Sequence, residues 1–135
     1  MTRRGVETGL AIWTLALLAI YIPGETWASW HSGLLDPGYL VDVIAMILLL
    51  WGAIHSLRRR PGHSPELLCI ASAWTSANGW RVTFWRYEHL QSGGTLTHGS
   101  TEMWVVAIAT GISLATFILL LILVTLKLQR EAATQ

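Results

Sequence analysis

Asp42, Asn78, Arg81 and Glu88 are the side chains best placed to do chemistry together, because each lies in or beside a stretch otherwise too apolar to hold it. A carboxylate can take up a proton, an amide can bridge two partners, and a guanidinium can hold an anion. In SPELLCIASAWTSANGWRVTFWRYEHL, residues 64–90, helical spacing puts Trp74, Asn78, Arg81, Trp85 and Glu88/His89 on one stripe. That stripe reads either as a packed polar seam ending in an interfacial arginine or as part of a pathway or ligand site.

A second constellation is His31, His89 and His98, with Glu25, Asp36, Glu88 and Glu102. Imidazole and carboxylate ligate zinc or copper. Their spacing matches no defined motif, and solvated interfacial side chains account for them better. His55 and His89 fall at opposite ends of their segments, so they cannot clamp one haem between them. A single axial histidine for a haem or pigment stays open. No cofactor is identified.

Nucleophilic catalysis has no visible apparatus. Cys69 is the single cysteine, which excludes an intramolecular disulfide and a C-x-x-C centre. There is no glycine-rich phosphate loop, no H-E-x-x-H and no G-x-S-x-G.

The elements that must position these residues are set by hydropathy. Hydrophobic residues make up 53% of the chain and charged residues only 13%, where a soluble domain has about a quarter charged. Apolar stretches fall near 9–22, 39–57, 67–80 and 103–126. A helix needs about 20 residues to cross about 30 Å of hydrocarbon. The second and fourth stretches reach that length, and polar flanks extend the first and third toward it. The chain therefore reads as all-α, a polytopic membrane protein with one domain over residues 1–135. Its expected form is an antiparallel bundle of four transmembrane helices, at about 5–22, 37–57, 65–87 and 102–128.

Local signals mark the ends. Arg3 and Arg4 before an apolar run could open a signal peptide, but Glu7 in the flank and the lack of a clean A-x-A site favour a retained first span. Pro23-Gly24 is expected to end or kink it. Asp36-Pro37 and Ser64-Pro65-Glu66 offer a cap and a first helical residue to the second and third helices, and Ser100 or Thr101 offers a cap to the fourth. Gln91–Thr101, with three glycines, reads as a flexible loop.

The short turn at Arg58-Arg59-Arg60-Pro61-Gly62 makes the second and third helices antiparallel neighbours. Counting outward from it puts Asp42 level with Arg81, and the two are expected to pair, since a lone charge below the headgroups is costly. Ser72, Ser76 and Gly79 form a small-residue ridge, and Gly111 with Ala115 forms another. Such ridges let helix backbones approach in lipid. Eight tryptophans are present. Trp27, Trp30, Trp85 and Trp104 suit the interfacial belt, while Trp13, Trp51 and Trp74 suit packing or stacking on a lipid, quinone or pigment.

Orientation follows from the basic residues. Arg3, Arg4, Arg58, Arg59, Arg60, Lys127 and Arg130 are seven of the nine, and all lie at the termini or the second turn. That side carries three acids against its seven bases, and the other side five acids against Arg81 and Arg86. The positive-inside rule puts both termini in the cytoplasm, in a multi-pass cell-membrane protein of the kind found in a bacterial inner membrane. The arginine turn, between two spans, is a topology signal and not a nucleic-acid patch.

The bilayer is thus one partner, with other membrane subunits or further copies of the chain as the rest. Three functions fit: an accessory or structural subunit of a larger membrane complex; a homo-oligomeric transporter or channel using Asp42, Asn78 and Arg81; or an outer-face metal, quinone or pigment site in electron transfer, using His31, His89 and nearby tryptophans.

Overall fold

The computed structural model describes residues 3–28, 30, 37–58, 65–96 and 100–133. These form four α-helices: α1 Arg3–Ala28, α2 Pro37–Leu57, α3 Glu66–Gln91 and α4 Ser100–Ala132. Neighbours in sequence are neighbours in space: α1 packs on α2, α2 on α3 and α3 on α4, and α4 touches α1 more lightly. Arg4–Trp27, Pro37–Leu57 and Met103–Ala132 are long and apolar enough to cross a membrane.

The expected stop at Pro23-Gly24 does not end α1, which continues five residues past Pro23 to Ala28. Proline removes one backbone donor and crowds the preceding turn, at about 3 kcal/mol in water. Two hydrogen bonds are made by Thr26 within the extension, and a third ties α1 to α2 just before Pro23. Thr26 donates its hydroxyl to the Ile22 carbonyl at 2.8 Å and shares a 3.1 Å bond with the Tyr39 hydroxyl, and the Tyr21 hydroxyl reaches Asp42 at 3.2 Å. Tertiary bonds to α2 override the local breaker.

The start of α3 also differs from expectation. Pro65 is the cap itself, not the first helical residue, and no side chain caps the helix. The Pro65 carbonyl accepts the Cys69 N–H at 2.8 Å. Ser64, the expected cap, lies outside the described residues, as do Asp36 and most of the arginine turn. At its other end α3 runs to Gln91, past the expected 87. It closes there through Gly93, whose φ of +82° suits only glycine. Gly94 donates its N–H to the His89 carbonyl, and the His89 ring covers Gly94 so closely that a side chain there would strike it.

The apolar core gathers at one end of the helices, where α1 begins, α2 ends and α3 begins. Ala11, Ala53, Leu68 and Leu120 are wholly buried there, with Leu10, Leu49 and Leu123 around them. Gly52 lets α2 and α3 meet: a Cβ on it would lie 2.8 Å from the Leu68 Cα. Across α3 and α4 the approach is again close, because the Thr110 side chain fills the space a Cβ on Gly79 would need.

The third helix is the least apolar of the four, and the way it faces explains this. Ser72, Ser76 and Thr83 are buried, while Ile70, Trp74, Phe84, Trp85 and Tyr87 are exposed. These three hydroxyl residues point inward and these five large apolar residues outward, while Leu68 is buried and Arg81 exposed. Thr75, Ser76 and Thr83 each donate to the carbonyl four residues back, at 2.7–2.9 Å.

Candidate functional site

The candidate site is a junction of three helices at the end away from the apolar core. From α1 comes Tyr21, from α2 Asp42, and from α3 Asn78 and Arg81. The Tyr21 hydroxyl donates to Asp42 Oδ1 at 3.2 Å, and Asn78 Nδ2 donates to the same oxygen at 3.1 Å. Arg81 Nη2 then donates to Asn78 Oδ1 at 3.2 Å. Asp42 is therefore level with Asn78, one turn short of Arg81, and Asp42 and Arg81 do not meet as the expected ion pair. Asn78 stands between them, using its amide as donor to one and acceptor to the other. Arg86 and Arg81 both act electrostatically on Asp42, Arg86 more strongly. Glu25 acts in the same way on Tyr21.

Arg81 is exposed, yet its guanidinium turns back one turn toward Asn78. Glu88 does not join the cluster: its side chain is exposed, and its described bond is the backbone one, in which its carbonyl accepts the Ser92 N–H. The amide ties the two charges into one chain running Tyr21, Asp42, Asn78, Arg81. Such a chain can hold a carboxylate in a low-dielectric setting, since each charged group meets a hydrogen-bond partner.

The histidine constellation is not assembled by the described residues. His31 and His98 lie outside them, and so does the side chain of Glu102. His89 is half-buried and stacks on Trp85, ring centroids 5.6 Å apart and 13° from parallel. Among the described residues no group of three His, Cys, Asp or Glu side chains could hold a metal ion.

The ridges divide. Ser72 and Ser76 are buried, Ser76 meets the Ser113 hydroxyl at 3.0 Å, and Gly79 sits against Thr110. Gly111 and Ala115 are exposed, with open space around Gly111, so α4 turns Thr110 and Ser113 to α3 and leaves the other ridge facing outward. Trp27, Trp30, Trp85 and Trp104 are all exposed.

Tyr21, Gly52 and the Lys127–Glu66 pair, 3.3 Å apart, were not anticipated from the sequence. The signal for the ion pair was available, since Glu66 opens α3 and Lys127 lies near the end of α4. Tyr21 and Gly52 sit in apolar runs with no pattern to mark them.

Comparison with family models, with curated proteins and with solved structures finds no match.

Proposed function

We propose that this chain is a multi-pass membrane protein, with four antiparallel spans and both termini in the cytoplasm, that serves as an accessory or structural subunit of a larger membrane complex. Four spans are supported by α3 itself, which turns Ser76 and Thr83 inward with their hydroxyls bonded, while Ile70, Trp74, Phe84 and Trp85 face out. The antiparallel order is supported by the pairs that meet. Going up α2, Asp42 meets Asn78 and Gly52 meets Leu68; going up α3, Glu66 meets Lys127 and Ser76 meets Ser113. The orientation rests on the seven basic residues gathered on one side.

The observation that carries the subunit role is the outward ridge of α4. Gly111 and Ala115 lie one turn apart on a helix surface that no other part of the described chain covers. Lipid gains nothing from a groove of this kind, whereas a neighbouring helix can bring its backbone into it. The test is a mild-detergent pull-down from native membranes, with mass spectrometry and an absorption spectrum of the same sample. Stoichiometric co-purification with larger subunits is expected, and Gly111→Leu, which has room for its side chain, should abolish it. A colourless species associated only with itself would overturn the subunit role and favour a homo-oligomeric transporter.

A further inference from the structure

We propose that Asp42 is a reversible proton-binding site and that the three-helix junction is built to hold both of its charge states. This goes beyond the subunit role, which stands with Asp42 in either state.

The argument rests on how the two oxygens are used. Tyr21 and Asn78 both donate to Oδ1. The Asp42 carboxylate makes no other hydrogen bond among the described residues, so none of these donates to Oδ2. In a carboxylic acid one oxygen carries the proton, and the other stays a carbonyl with two lone pairs. A proton arriving on Oδ2 therefore leaves both existing bonds in place. Its balance is simple: hydronium gives up a proton to the carboxylate and becomes water, and no other bond changes. A carboxylate clamped by a guanidinium would have to break that pair to be neutralised. Here the contacting donors are a phenol and an amide, both neutral, and Arg81 reaches Asp42 only through Asn78.

The surroundings select a proton over a metal ion. The groups facing Asp42 are Tyr21 from α1, with Glu25 acting on it, and Arg86 and Arg81 from α3. The α4 helix packs on α3 and lightly on α1. Calcium or magnesium would need about six oxygen ligands, whereas a proton needs only the one oxygen to which neither Tyr21 nor Asn78 donates. Access is short: Asp42 lies five residues into α2, about 7.5 Å along the helix from its first residue.

The test is infrared difference spectroscopy of the full chain in lipid nanodiscs with carbon-13 aspartate, taken while the pH is lowered. The chain holds two aspartates, Asp36 and Asp42, and Asp42→Asn assigns the signal. The expected result is a protonated-carboxyl band that grows at low pH and is lost in Asp42→Asn. Tyr21→Phe should shift this band to higher frequency, because it removes one donor from the carbonyl oxygen. Should Asp42→Asn fail to fold, the Tyr21→Phe shift still decides the matter. Absence of an Asp42 carboxyl band at every pH would overturn the proposal. So would a band that does not move in Tyr21→Phe, since the bonded oxygen would then not be the carbonyl.

Discussion

The two ends of the helices are held by different physics. Where α2 meets the start of α3, Ala53, Leu68 and Leu120 are buried completely and Gly52 admits the Leu68 backbone, so shape does the work. Where α1 meets α2 and the far part of α3, the contacts are hydrogen bonds through Tyr21, Asp42 and Asn78. The first end is set by shape and tolerates no added volume. The second has longer side chains that can adjust in length but not in hydrogen-bonding role. In lipid, where apolar residues gain little by leaving their surroundings, close packing and satisfied polar groups are the two available sources of specificity.

Gly52→Leu is the sharpest test of the contrast. The new side chain meets backbone, which cannot rotate away, and the expected loss is about 3 kcal/mol or more, read as a lower midpoint of thermal unfolding in detergent. Asn78→Leu attacks the other end by taking a donor from Asp42 and an acceptor from Arg81 together. About 1–3 kcal/mol should be lost, and adding Asp42→Leu should recover part of it in a double-mutant cycle. If Asn78→Leu proved costlier than Gly52→Leu, the polar end would be the chief fastening and the comparison would invert. Ser76→Ala removes one interhelical bond to Ser113 and should cost about 0.6 kcal/mol, measurable by steric trapping. Lys127→Gln breaks a pair whose Glu66 partner is half-exposed. Its effect should stay below about 0.5 kcal/mol and vanish in high salt.

Much of this was legible along the helix axis and little around it. Hydropathy located all four helices, and counting from the short arginine turn put Asp42 within one turn of its true partner, Asn78. Counting residues fixes depth but not rotation, so the intervening place of Asn78 and the approach of Tyr21 did not follow. The same limit left open which face of α4 meets α3. Its surface is apolar nearly all round, and nothing in the pattern says that Thr110 and Ser113, not Gly111 and Ala115, turn toward α3. Pro23 shows a third limit: a local breaker was overruled by bonds to residues in another helix. Gly52 sits in an apolar run, where a glycine carries no periodic signal.

The inward-facing polarity of α3 also bears on how the chain is made. An insertion machine weighs each emerging segment by its composition, and an arginine deep in a span counts about 3 kcal/mol against release into lipid. Arg81 and Ser76 find partners on α3 itself, and Asn78 finds Asp42, which is already synthesised, but Ser113 and Thr110, which meet Ser76 and Gly79, are not. In the four-span reading α3 is expected to gain its full packing only when α4 follows. A chain interrupted in the loop before Ser100 would leave its third helix without that packing.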